Sequence, residues 1–398
     1  MRLVRDHPIV SALAYGCGLA LALRVGLGVV MAASWLAVER YLPNLPEPSV
    51  YGQLSMPTSG LGRLLLSVWL RWDAIHQLNL AIHSYSIAVP GDSVFFPLYA
   101  GLTRLVALFL GGKYLEAGLL VSTLSAAAAF ALLILLGERL FGPGSGRWAA
   151  ISLAVFPTAV FLMAPFTESL FIALTLGALV SAYRSRWLLA AACALLASLT
   201  RGPGLMLSVP LAIIGYYQWI SSARPRRLWH GTSLIAASAA PLVGGLSFLA
   251  WRSQAGFPPM TETLRLYTGT AFVDPLTGLV AGFDQWLHVR DLPTTLDLLA
   301  AIFILALATL MALRPRWRQP ELLAYMLVMA VLLLGRKTEG APSLKSLARY
   351  VLGLFPAFAV VGDWLASARP LTRFLVVTAS SSALIALSAL YTLWFFLG

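Results

Sequence analysis

Residues 115–137 read LEAGLLVSTLSAAAAFALLILLG, and residues 138–147 follow with ERLFGPGSGR. The first stretch matches the roughly 20 apolar residues a helix needs to cross a bilayer. It is continuously apolar instead of alternating, which argues for a membrane helix and against a strand of an outer-membrane barrel. The second stretch places arginines among glycines and a proline, as a short cytoplasmic turn does. The same pairing of apolar run and arginine-rich link recurs along the chain. Hydrophobic residues make up 59% of 398, charged residues 11%, and mean hydropathy is +0.81. A water-soluble domain has no means of covering that much apolar surface. The expected class is therefore an all-α polytopic membrane protein.

The formal net charge of +12 does not mark a nucleic-acid binder. Lysine supplies only Lys113, Lys337 and Lys345, and most arginines flank apolar runs. That is charge serving topology. Two cysteines, Cys17 and Cys193, frame neither a disulfide scaffold nor a metal site. The start, MRLVRDHP and then an apolar run from Ile9 to about Ala37, is too long for a cleaved signal and reads as a first span entered from the cytoplasm.

Candidate spans fall at about 9–37, 115–137, 148–165, 168–183, 187–203, 204–221, 231–251, 292–313, 321–336, 345–366 and 372–396. This predicts about 11 transmembrane helices in a single domain, 1–398. Arginine-rich links at 138–147, 183–187, 223–227, 314–318 and 368–373 all belong on the inner face. Their parity works only if the apolar run 95–110, which holds Pro97 and Arg104, lies on the outer face without crossing. The inner face then carries 14 basic and 4 acidic residues, the outer face 13 and 12, with Arg24 inside the first span. Two outer loops are large, 38–114 and 252–291, and long outer loops are where extracytoplasmic work is done. No internal repeat is evident.

The first outer loop concentrates residues with chemistry. An amphipathic stretch, residues 61–70 (LGRLLLSVWL), leads into Arg71-Trp72-Asp73, with His76 one helical turn on and Tyr99 further along. Asp73 either caps a helix or pairs with Arg71, or serves as a carboxylate at the bilayer boundary whose partial desolvation raises its basicity. His76 is either a hydrogen-bonded structural residue or a member of the site. Glu168 sits between two spans on the outer side, where the helix dipole favours it and where an acid needs water or a partner. Arg201, Lys345 and Arg349 stand at the outer ends of apolar runs. Such cations either bind an anion such as a phosphate, or pair with Asp73, Glu168 or Glu339, or reach to lipid headgroups. Zinc-ligand spacing, a nucleophile elbow and a phosphate loop are absent from the sequence, so no metal ligand and no cofactor is expected.

Taken in order, RWDAIHQLNLAIHSY (71–85), FFPLYAGLTRL (95–105), FPTAVFLMAPFTESLF (156–171), LTRGPGLML (199–207) and SLARYVLGLFP (346–356) resemble the PIG-V-like mannosyltransferases. That family holds the second mannosyltransferase of GPI-anchor synthesis and its prokaryotic relatives, and is of GT-C type. The resemblance runs from about residue 68 to 360. It implies a GT-C-like bundle with amphipathic helices in the first outer loop and an active site on the extracytoplasmic side of a prokaryotic plasma membrane. It further implies a polyprenyl-phosphate-linked sugar donor and an inverting transfer of a hexose, mannose first, to a hydroxyl of a lipid, glycan or protein acceptor. Carried over by position, Asp73 is the catalytic carboxylate and Glu168 a second site acid. Arg201, Lys345 and Arg349 fall to the donor phosphate, and Trp72, His76 and Tyr99 to the substrate pocket. The chain departs from the family pattern at Gln77 and at Gly256-Phe257-Pro258, positions that bear on acceptor choice. The competing class, a transporter or flippase of lipid-linked sugars, calls for polar residues through the middle of several spans, whereas the acids here gather at the outer edge.

Overall fold

The computed structural model describes residues 8–41, 54, 60–221, 227–338 and 343–395. Glu339 and most of residues 42–59 lie outside the described residues. Among the described residues eighteen α-helices follow in chain order. The first nine are α1 (Pro8–Tyr41), α2 (Gly60–Leu65), α3 (Asp73–His83), α4 (Pro97–Phe109), α5 (Tyr114–Phe141), α6 (Ser145–Ala154), α7 (Val160–Met163), α8 (Glu168–Tyr183) and α9 (Trp187–Thr200). The remainder are α10 (Ser208–Ile220), α11 (Arg227–Gln254), α12 (Met260–Thr268), α13 (Pro275–Val289), α14 (Leu292–Leu313), α15 (Pro320–Leu334), α16 (Leu347–Tyr350), α17 (Phe355–Ser367) and α18 (Pro370–Thr392). The protein is an all-α polytopic membrane protein. One small addition escaped the sequence reading: β1 (Thr270–Phe272) pairs antiparallel with β2 (Arg336–Thr338), Thr270 facing Thr338 and Phe272 facing Arg336.

Among the described residues five helical segments are long and apolar enough to cross a membrane: α1, α5, residues 231–254 of α11, α14 and α18. Residues 347–353 and α17 make a sixth if the pair, bent by 75°, counts as one span. Several of the expected eleven spans are thus broken or short, and the breaks have visible causes. The expected span 148–165 is broken into two helical pieces: α6 ends at Ala154, α7 is a single turn, and Pro157 and Pro165 flank it. Proline lacks the N–H of the helix ladder and its ring collides with the preceding turn. Pro356 sits in the first turn of α17, just past the bend at Leu354. At Gly202-Pro203-Gly204 a 3₁₀ turn replaces the expected start of a span. A Cβ on Gly204 would lie 2.5 Å from Ser198 Cα, so only glycine permits this turn to fold back on α9.

α4 has 13 residues and so rises about 20 Å, well short of the roughly 30 Å hydrocarbon core. α5 is the organising helix, packed against α1, α4, α6 and α8. Arg24 of α1 reaches into this centre. Its guanidinium donates to Thr123 Oγ1 and to the carbonyls of Leu119 and Met163, and lies 4.4 Å from the Trp69 ring centre. At the other end of the bundle, Asp363 accepts from Arg316, Trp317 and Ser145, which ties α17 to the turn before α15 and to the start of α6.

Candidate active site

Four segments far apart in sequence meet at one end of the bundle: the start of α3, the start of α8, the turn after α9, and α16. The residue that joins them is Arg349. Its Nη1 donates to Asp73 Oδ2 at 2.6 Å and its Nε donates to Glu168 Oε1. Arg201 Nη1 donates to the same Glu168 oxygen at 2.6 Å. The Arg349 guanidinium is buried over Phe166 and Phe161, with ring centres at 4.5 and 5.2 Å. The ion pairing weighed from sequence is therefore present, and it gathers four of the candidate residues into one cluster.

Local structure explains how each carboxylate arrives. Trp72 has φ 53° and ψ −125°, outside the usual regions for a residue with a side chain. This kink launches α3 with Asp73 as its first residue. The strained turn is held from below by Arg71, which does not pair with Asp73 as one sequence reading had it. Arg71 is buried, its Nε donating to Thr392 O and its Nη1 to Ser67 O and Leu70 O, with the Trp394 ring centre 4.6 Å away. Glu168 opens α8, where the helix dipole favours a negative charge. Its Oε2 is buried and has no hydrogen-bond partner among the described residues, a demand that a bound hydroxyl or water satisfies.

The electrostatics of Asp73 differ from the sequence expectation. Burial pushes its carboxyl upward, but the charge and hydrogen bond of Arg349 outweigh burial and hold it below the ordinary aspartate range. Asp73 is thus firmly ionised, and its basicity is lowered, not raised. Its side chain is 32% exposed, so the carboxylate is reachable from outside the cluster.

The remaining candidates separate. Trp72 flanks Asp73, edge-on to Trp394 with ring centres 5.8 Å apart. Lys345 lies half-buried in the turn before α16. Tyr99, expected to line the substrate pocket, is fully buried. Its hydroxyl lies 2.9 Å from Gly118 O and 2.8 Å from Ser122 Oγ, and Ser122 in turn donates to Ala164 O. It ties α4 and α5 to the turn that precedes Glu168, beneath the site. Gln77 is likewise buried. Arg336, which the sequence did not single out, stands on β2 with its guanidinium 4.7 Å from the Tyr350 ring centre, while Arg201 lies 5.0 Å from the same ring. The Arg336 side chain makes no hydrogen bond or ion pair among the described residues. Beside the Arg201 turn opens a cleft of about 300 Å³ lined by Tyr85, Pro97, Leu199, Ser247, Phe248 and Trp251.

His76 turns away from Asp73 to Asp92, Nδ1 to Oδ1 at 2.6 Å, and stacks on Phe95 with ring centres 5.3 Å apart. The hydrogen bond to Asp92 raises its pKa against the opposing effect of burial. A raised folded-state pKa means that the pair stabilises the fold below the unfolded histidine pKa of about 6.5 and ceases to do so as pH rises through the folded value. His76→Gln is therefore expected to lower the melting temperature at pH 5.5 and to match the wild type at pH 9. A melting deficit of equal size at both values would assign His76 a packing role instead.

No protein-family model matches the chain, and no curated protein matches it in sequence. Among solved structures it is similar to ArnT from Cupriavidus metallidurans bound to undecaprenyl phosphate, at 16% identity and a TM-score of 0.46, over 83% of this chain and 75% of that one. It is also similar to the archaeal oligosaccharyltransferase AglB from Archaeoglobus fulgidus in complex with an inhibitory peptide and a dolichol-phosphate, at 13% identity and a TM-score of 0.45, over 95% and 55%. The chain thus spans about half the length of AglB. At this level of similarity neither family nor substrate follows, and the functional reading rests on the residues of the site.

Proposed function

We propose that this protein is an inverting glycosyltransferase that moves a hexose, with mannose the first candidate, from a polyprenyl-phosphate-linked donor to an acceptor hydroxyl on the non-cytoplasmic face. The observation that carries the reading is the Arg349 bridge between Asp73 and Glu168 with Arg201 alongside. These residues come from four of the five ordered motifs, and the bridge brings them within hydrogen-bond reach of one another. Two acids and several guanidinium groups at the boundary of an apolar bundle suit a reaction that handles a sugar hydroxyl and a lipid phosphate together.

The chemistry is a single displacement. The acceptor oxygen forms a bond to the anomeric carbon as the bond from that carbon to the phosphate oxygen breaks, inverting the centre. The acceptor proton passes to the Asp73 carboxylate, and the lipid phosphate leaves as an anion. An ionised carboxylate of modest basicity suffices, because the hydroxyl becomes more acidic as its bond to carbon forms. Glu168 Oε2, buried and unpartnered, is suited to hold a sugar hydroxyl. Arg201 and Arg336, both on Tyr350, are better placed than Arg349 for the leaving phosphate, because Arg349 is occupied by two carboxylates; Lys345 adds charge at the same end. Arginine's planar fork fits phosphate oxygens, and the apolar cleft beside Arg201 gives a polyprenyl chain room to lie.

The test is a transfer assay on the purified protein with a panel of polyprenyl-phosphate hexoses and a set of lipid, glycan and peptide acceptors, product stereochemistry being read by NMR. Transfer with inversion from one of these donors is the expected result. Absence of transfer with every donor, alongside movement of the intact lipid-linked sugar across a vesicle membrane, would replace this reading with the transporter.

A further inference from the structure

The second outer loop holds a helix whose exposure is inverted. In α13 the two buried residues are glycines, with Leu279 packed on the core beside them, and the large apolar residues of the opposite side face away. Gly278 and Gly282 are buried. A Cβ on Gly278 would lie 2.0 Å from Leu334 O and 3.3 Å from Arg336 O, and one on Gly282 would lie 2.6 Å from Leu344 Cδ1. The helix backbone therefore sits directly on the segment that carries Arg336. On the opposite side Leu276, Val280, Phe283 and Leu287 are 70, 60, 49 and 42% exposed. Their spacing of four, three and four residues makes one stripe along the helix. Asp284 and His288 are exposed on the flank of that stripe, 70 and 73% by side chain.

The neighbouring segment identifies what covers the stripe. Only Arg290 and Asp291 separate α13 from α14, a helix apolar and long enough to span a membrane. Arg290, at φ 51°, ends α13 in the left-handed conformation, and Asp291 caps α14 by accepting from the Thr294 N–H at 2.9 Å. Trp286 Nε1 donates to Thr295 Oγ1 at 3.0 Å, fastening the end of α13 to the first turn of the span. The lipid-facing side of α14, with Leu292, Leu299, Ile302 and Leu305 exposed, is thus continuous in the chain with the stripe. A tryptophan at the junction is the usual marker of the headgroup level.

We infer that α13 is an interfacial helix, lying in the plane of the bilayer surface with Leu276, Val280, Phe283 and Leu287 sunk into the boundary between headgroups and acyl chains. Lipid is the occupant of the stripe, as it is for amphipathic helices with this distribution of residues. Because Gly278 brings the helix backbone against the Leu334–Arg336 segment, the bilayer surface sets the height at which Arg336 stands beside Tyr350. The inference is independent of what the site transfers.

The test uses the full chain with Cys17 and Cys193 replaced by serine, reconstituted in phosphatidylcholine–phosphatidylglycerol nanodiscs. A single cysteine at Val280 or at Asp284 carries a fluorophore. Quenching by lipids bearing a nitroxide near the headgroup should be at least about threefold stronger at position 280 than at 284, and quenching by aqueous iodide should show the reverse order, as a depth of some 5–10 Å requires. Position 287 serves in place of 280 if that variant melts early. Equal iodide quenching at 280 and 284 overturns the inference. So does a Val280→Cys variant that forms a disulfide between two copies while escaping the lipid quencher, since a second copy then covers the stripe.

Discussion

Replacing Arg349 with methionine is expected to abolish transfer and to give the largest stability loss of any single substitution in the site. Among the described residues Arg349 is the one cation bonded to both acids, through Nη1 to Asp73 and Nε to Glu168, and it is buried against Phe161 and Phe166. Methionine keeps most of the apolar contact but leaves Asp73 without its ion-pair partner and Glu168 with Arg201 alone. Removing one partner of a buried ion pair costs on the order of 3–5 kcal/mol, because the remaining charge stays desolvated and uncompensated. Arg349→Lys is the informative companion. A lysine retains the charge but presents a point donor that cannot fork between two carboxylates, so partial stability with poor activity is expected. Arg201→Met should melt closer to wild type, since Glu168 keeps Arg349, and its loss should show in donor affinity. Thermal melting in detergent together with donor titration separates these outcomes. An Arg349→Met protein that melts with the wild type would mean that the bridge does not organise the site.

The distribution of what sequence could and could not read follows from which forces are local. Membrane class, the long spans and the approximate helix limits come from apolar runs, and α8 and α14 start and stop where the hydropathy does. The breaks at Pro157 and Pro356 were written in the chain as prolines, yet a reading by apolar runs passes over a single residue. Asp73, Glu168, Arg201 and Arg349 were legible because each sits beside a polar interruption in an apolar run, where burial demands a reason. Their convergence was not legible, since spacing along the chain says nothing about which helix ends meet. Tyr99 was misplaced for the same reason: a motif gives a residue's presence, while its direction is set by packing of α4 on α5. Arg336 carried no local signal. It reaches Tyr350 through the pairing of β2 with a strand some 65 residues earlier, and three-residue strands leave almost no periodicity to detect. The stripe of α13 is visible as a pattern, but a pattern does not say which face the protein keeps. Gly278 and Gly282, with no side chains to stand off Leu334 and Leu344, decide that.

Asp73→Asn is expected to lower turnover by about a hundredfold or more while leaving the fold and donor binding close to wild type. The amide has the shape of the carboxylate, and its oxygen still accepts from Arg349 Nη1, so the bridge to α16 persists in weakened form. Glu168 continues to hold both arginines, which keeps the cationic side of the site in place for the donor. What disappears is the capacity to take up a proton at that position. The stability cost is smaller than for Arg349→Met for a definite reason: the Asp73 side chain is 32% exposed, so water compensates part of the altered pairing, whereas nothing compensates around Arg349. The two variants therefore fail differently. Arg349→Met loses the assembly of the site, and Asp73→Asn loses a chemical step within an assembled site. The distinguishing measurement is single-turnover transfer on protein shown by melting and donor titration to be folded and loaded. Turnover near the wild-type rate under those conditions would remove Asp73 from the reaction and leave Glu168 as the acid to examine.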